Sequence, residues 1–176
     1  MIRNRITTLL GVLALAAAAL PLTPAASASA EVLDISCVGS HTATYTPPVE
    51  LEPKESTGVN TTRYGPCVSL SAPGLTGYQS ITSVRSRTCL DLLTTSSGTE
   101  TIIWNDGTSS TVSVNRVVNV VGAVYTVTFT GSVTAGRFAG KTVVQQITAP
   151  ATDLLLCTAG LGKLDGMQST LVLTIT

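Results

Sequence analysis

Polar and apolar residues alternate with a period of two along much of this chain. In 125–130, Tyr125, Val127 and Phe129 fall on odd positions and Thr126, Thr128 and Thr130 on even ones, which predicts a strand burying the first set. Leu171, Leu173 and Ile175 share one side of 170–176, and Val143 and Ile147 share one face of 141–147. Residues 41–46 alternate until Pro47-Pro48, a pair expected to stop a ladder or confine it to an edge. Residues 99–104 are rich in β-branched and aromatic residues, 109–114 read as the returning strand, and Asp106-Gly107 between them predicts a tight type I′ hairpin. Residues 63–71 predict a strand, and 80–93 one bent strand or two short ones. The apolar runs 117–121 and 153–157 are read as further short strands. The polar stretch 49–61, with Glu50, Glu52, Lys54 and Glu55, is read as an exposed loop, 94–98 as a turn, 131–140 as a glycine-bounded hairpin and 160–166 as a loop.

One stretch breaks the pattern. Arg85, Arg87, Cys89 and Asp91 share one parity while Val84, Leu90 and Leu92 share the other, so a disulfide that turns Cys89 inward brings charges inward with it. A bulge between Arg87 and Leu90, or a bridge at the sheet margin, would resolve the conflict. About nine short strands predict an all-β protein, an antiparallel two-sheet sandwich of generally immunoglobulin-like architecture, with a closed β-barrel as the alternative.

The first thirty residues change the compartment. Arg3 and Arg5 precede an apolar run over 9–20, and Ala28-Ser29-Ala30 satisfies the small-x-small rule, so 1–30 is expected to be a secretory signal peptide cleaved between Ala30 and Glu31. The run is shorter than the roughly 20 residues that cross a bilayer. Residues 31–176 are then expected to form a single secreted domain, released or held at the cell wall. Setting Arg3 and Arg5 aside from the ten basic residues leaves eight against ten acidic, a net charge of minus two. That balance argues against nucleic acid and anionic membrane as partners, and a monomer is expected.

Four cysteines, Cys37, Cys67, Cys89 and Cys157, remain for an oxidising compartment, and an even count there predicts two disulfides. Three connectivities are possible. If 37–47 and 61–71 are antiparallel neighbours joined by the segment around Glu52, Cys37 lies opposite Cys67 and Cys89 is left for Cys157. No Cys-x-x-Cys and no histidine cluster is present, so neither a metal nor another cofactor is expected.

Cys37-Val38-Gly39, Tyr45-Thr46-Pro47, the 104–108 turn with Ser109 after it, the glycine-bounded 131–140, and Cys157 followed by Gly160-Leu161 give the chain a particular look. It resembles small secreted β-rich proteins of actinomycetes, most of them uncharacterised. The resemblance implies a source and a fold, and carries no catalytic residues across.

Candidate chemistry is sparse. His41 is the only histidine, and beside Ser40 it reads as a solvated or hydrogen-bonded side chain rather than a general base. There is no Gly-x-Ser-x-Gly elbow. Glu50, Glu52 and Glu55, and Asp91, Asp106, Asp153 and Asp165, read as solubilising and turn residues rather than a glycosidase pair. Trp104, on a central strand, is expected in the core; an exposed Trp104 would instead suggest a binding platform. Asn60-Thr61-Thr62 matches a glycosylation sequon. The expectation is a non-catalytic extracellular module that binds a protein or glycan ligand or belongs to the cell surface. A protease inhibitor using 49–61 as its reactive segment is the alternative, and a small hydrolase the more distant one.

Overall fold

A computed structural model describes residues 33–176. The expected signal peptide and its cleavage point between Ala30 and Glu31 lie outside the described residues. Eight strands follow one another: β1 (Ile35–Val49), β2 (Lys54–Val68), β3 (Gly77–Arg87), β4 (Ser96–Trp104), β5 (Ser109–Val121), β6 (Val124–Gly136), β7 (Thr142–Pro150) and β8 (Leu164–Ile175). A 3-10 helix, Cys89–Leu93, links β3 to β4, and α1 (Thr152–Thr158) links β7 to β8. Each strand pairs antiparallel with the next, and β8 returns to β1, from Ile35 opposite Ile175 to Ala43 opposite Met167.

The protein is therefore all-β with two disulfides, and the sheet is a closed eight-stranded barrel rather than the two-sheet sandwich expected first. Alternation does not separate the two architectures, because a strand buries one face in either. What separates them is closure, and here long strands, 15 residues each in β1 and β2 and 13 in β5 and β6, let one twisted sheet coil until β8 pairs with β1. Tyr125, Val127, Leu171, Leu173, Ile175, Val143 and Ile147 all face the interior as alternation predicts.

Several local expectations change. Residues 49–61 are mostly strand, and the β1–β2 connection shrinks to Glu50, Leu51, Glu52 and Pro53. β1 runs on through Pro47-Pro48 to Val49, and the prolines fall where the β1–β8 ladder breaks between Thr44 and Val49. Residues 109–114 and 117–121 are one strand, and β4 begins inside the expected turn at 94–98. Residues 153–157 lie in α1, where Leu154 and Cys157 stand three apart on one buried face; a short apolar run does not by itself choose between helix and strand. At the β4–β5 hairpin Gly107 donates to the Trp104 carbonyl at 3.0 Å, Trp104 donates to the Thr108 carbonyl at 2.8 Å, and of the loop residues only Gly107 has positive φ, at 84°. The connection is thus a three-residue loop ending in a left-handed glycine instead of a type I′ turn. Asp106 completes it by accepting from the Thr108 amide at 3.0 Å and hydroxyl at 2.7 Å. Gly131 sits where β6 presses on β5, and a Cβ there would lie 1.9 Å from the Ser113 carbonyl oxygen, so only glycine fits.

Both disulfides pair as the antiparallel β1–β2 neighbourhood suggested, with a bulge between Cys37 and Gly39 shifting the ladder by one residue to set Cys37 opposite Cys67. Cys37 and Cys67 are cross-strand partners, and Cys89–Cys157 ties the 3-10 helix to α1. The parity conflict around Cys89 resolves at the margin, because the β2–β3 ladder runs without a bulge from Tyr64–Gly77 to Lys54–Arg87 and the bridge lies just beyond it. Among the described residues no helix is long and apolar enough to cross a membrane.

Candidate functional site

The barrel interior is divided along its axis. One end is filled: Trp104 is 2% exposed, stands 6.4 Å from the Tyr64 ring and meets Phe138 edge-on at 5.7 Å, and Ile102, Leu173 and Ile175 close the space around it. The indole Nε1 donates to the Ser110 hydroxyl at 2.8 Å, which donates in turn to the Arg137 carbonyl at 2.6 Å. Trp104 is core, as expected, and offers no exposed platform.

Above this plug the interior opens into a chamber of about 260 Å³. Its floor is polar. The Tyr64 hydroxyl donates to Gln145 Oε1 at 2.9 Å, His41 Nδ1 lies 3.0 Å from Thr62 Oγ1, and Gln79 Nε2 donates to Glu100 Oε2 at 3.0 Å. Its walls include apolar groups from Ala43, Ile81, Val127, Phe129, Ile147 and Met167. All of these project inward by the same period-two rule that builds the strands.

The way in lies between β3 and β4. Their backbone ladder has only two pairings, Gly77 with Trp104 and Tyr78 with Ile103. Beyond them, β3 climbs to Arg87 beside β2 while β4 descends from Ser96 beside β5, and the Gln79–Glu100 side-chain hydrogen bond stands where ladder bonds stop. Ile81, inward-facing by parity, is nevertheless 37% exposed, as it must be if solvent reaches the chamber through this parting. The 3-10 helix crosses the top of the gap. Thr88 caps it by accepting from the Asp91 amide at 3.3 Å, while Asp91 accepts from the Thr88 amide at 2.6 Å. The Leu92 carbonyl accepts from Arg116 at 2.8 Å and from the Tyr125 hydroxyl at 3.0 Å, and Arg116 also donates to the Thr94 carbonyl. These bonds fasten the cover to β5 and β6.

Burial governs the electrostatics of the chamber. It lowers the His41 pKa to about 4, so the imidazole is neutral at pH 7. It raises the Glu100 pKa, against the smaller opposing effect of the Gln79 hydrogen bond. It raises that of Tyr64 too, reinforced by the Glu100 charge. Tyr45 and Tyr125 are raised by burial as well; nearby arginines oppose the shift in both, Arg87 first at Tyr45 and Arg116 at Tyr125.

The sequence candidates scatter. His41 does reach the chamber, but its partner is a threonine hydroxyl. Glu50 pairs with Lys54 at 3.5 Å, Asp106 pairs with Arg137 on the far hairpin, and Asp91 is held by the 3-10 cap. Glu52, Glu55, Asp153 and Asp165 are exposed. Among the described residues Glu100 is the one carboxylate lining the chamber, so no carboxylate pair of theirs faces a common space there. Asn60 of the sequon faces the same chamber from the middle of β2. Among the described residues no cluster of His, Cys, Asp or Glu is suited to a metal ion. Sequence reasoning passed over Glu100, Gln79 and Gln145, though each sits at a core-facing position of a strand. A polar side chain at such a position was the available signal. The inward arginines at 85 and 87 were visible as the parity conflict itself.

Comparison with family models, curated proteins and solved structures finds no match to this chain. The chamber's own geometry is what bears on function.

Proposed function

We propose that this protein is a non-catalytic binding barrel that takes a small amphipathic molecule into its interior through the gap between β3 and β4. The observation that carries the reading is the parting of those two strands over a chamber left unfilled in an otherwise packed barrel. Small-molecule sites are concave, largely apolar and equipped with a few fixed polar groups, and the mouths of β-barrels are among their usual places. The chamber has apolar walls and a hydrogen-bonding floor. It holds a neutral imidazole without an acid–base partner and a single carboxylate, a poor set for hydrolysis and a serviceable one for recognition. A small ligand replaces the protein or glycan partner expected from the sequence, since the exposed aromatic platform a glycan would use is absent at Trp104. The inhibitor alternative loses its long reactive segment, which is four residues between paired strands. Two disulfides suit an extracellular setting for such a carrier.

Ala43 is 5% exposed and lines the chamber wall. Ala43→Phe is expected to fill the space. Native mass spectrometry and thermal-shift titration with a library of small amphiphiles should find ligands for the wild-type protein that the variant no longer binds. Binding unaffected by Ala43→Phe, or no ligand in the library at all, overturns the reading.

A further inference from the structure

The chamber leads outward into a second hollow of about 270 Å³ beneath the 3-10 helix, and the two share Tyr45, Asn60, Arg85, Leu92 and Arg116. Three guanidinium groups converge there: Arg85 and Arg87 from β3, and Arg116 from β5. None of them forms an ion pair, since the ion pairs among the described residues join Lys54 to Glu50, Arg137 to Asp106 and Lys141 to Asp34. Arg87 is held by neutral acceptors, the Ser56 and Ser83 carbonyls and the Ser83 hydroxyl, and lies 5.8 Å from the Tyr45 ring centre. Arg116 is likewise held by backbone carbonyls and the Tyr125 hydroxyl at 2.8 Å. Arg85 has no hydrogen bond, and neither has the Tyr45 hydroxyl, although the Tyr45 side chain is buried. Asp91 attracts Arg87 from the rim, but its carboxylate is already engaged in the cap.

Like charges brought together with one carboxylate, Asp91, nearby still repel, and the effect is felt: after burial, the Arg85 charge is the next largest cause lowering the Arg87 pKa. In a protein with so few basic residues this concentration stands out. The opposite end of the site differs. Glu100 stands at the Trp104 side of the parting, hydrogen-bonded to Gln79, and no arginine is among the causes that shift it. The site is thus polarised, positive at the mouth and apolar to hydrogen-bonding within.

We infer that the ligand is an amphipathic anion, its carboxylate or other oxyanion head held at the mouth by the free Arg85 guanidinium and the Tyr45 hydroxyl with Arg87 and Arg116 behind them, and its uncharged body in the chamber. The inference rests on the binding-barrel reading and adds the charge and orientation of the guest. Arginine suits the task because its planar fork meets an oxyanion with two parallel hydrogen bonds, and charge-assisted bonds of this kind are the strong ones.

Two matched series test it by isothermal titration at low and high salt: octanoate, octyl sulfate, octanol and octylamine, then phenylpropionate with the corresponding alcohol and amine. In at least one series the anion is expected to bind about tenfold or more tighter than the alcohol and the amine more weakly than either, with the anion's advantage shrinking in salt. The octyl pair of anions distinguishes a carboxylate from a sulfate head. Arg85 is exposed, so Arg85→Ala leaves the fold intact by circular dichroism; it should bring the anion to the level of the alcohol, while Arg85→Lys keeps part of the preference. Alcohol or amine binding as tightly as the anion, or an anion preference that survives Arg85→Ala, overturns the inference while leaving the binding barrel standing. If no member of either series binds and Ala43→Phe changes nothing in the library titration, the barrel reading falls and the inference falls with it.

Discussion

The two ends of the barrel are built from the same strands and are opposite in character. At the Trp104 end the neighbouring strands keep their backbone pairing, inward positions are mostly aromatic or aliphatic, and the indole nitrogen and the Ser110 hydroxyl each find a partner. At the Arg85 end β3 and β4 separate, a short helix and a disulfide-linked second helix take over as cover, and arginine, tyrosine and other polar side chains stand among the apolar inward positions. The difference shows where this fold keeps its stability and where it accommodates a guest. Burying about 25 cal/mol of apolar transfer energy per Å² at one end permits a cavity, unneutralised charge and an interrupted ladder at the other.

The sharpest way to break that contrast is to empty the packed end. Trp104→Ala is expected to cost about 3–5 kcal/mol in urea unfolding, the usual range for removing a large buried aromatic. Protein that remains folded should still select among ligands as the wild type does; a lost preference would mean that the two ends are one functional unit.

A smaller effect is expected at the boundary, from His41. Its folded pKa, about 4, lies below the ordinary imidazole value of 6.5, so the neutral form is the one the fold prefers. Stability from this group is complete above pH 6.5 and is lost as pH falls toward 4, by at most about 3 kcal/mol. His41→Gln should flatten the dependence of the melting temperature on pH across that window. An unchanged slope would show that the histidine sits in water rather than in the chamber floor.

Glu100 should give the smallest effect, of opposite sign. Its pKa is raised in the folded protein, so its contribution is present in acid and lost as pH rises through the folded value. Glu100→Gln keeps the size of the side chain and an amide oxygen to accept from Gln79, and is expected to raise the melting temperature at pH 7 while changing it little in acid. A variant destabilised at pH 7 would show that the carboxylate charge is used by the fold, contrary to the division drawn between the ends.

Much of this architecture is local in origin. The alternation of 125–130 and 170–176 determined which faces are buried, because a strand's side chains change sides at every residue whatever sheet it joins. The antiparallel pairing of β1 with β2 brought Cys37 close to Cys67, and a bulge between Cys37 and Gly39, which no sequence pattern announces, set the two directly opposite. Trp104 was legible as core from its place on a central strand. Closure was not legible: sandwich and barrel ask the same pattern of each strand and differ only in whether the last one finds the first, as β8 finds β1. Nor was the site, which depends on strands distant in sequence. Arg85 and Arg116 are ordinary strand residues until β3, β5 and the 3-10 helix are brought around one hollow. The parity conflict at 85–91 signalled charges that turn inward, and only the tertiary structure showed that they turn toward a space.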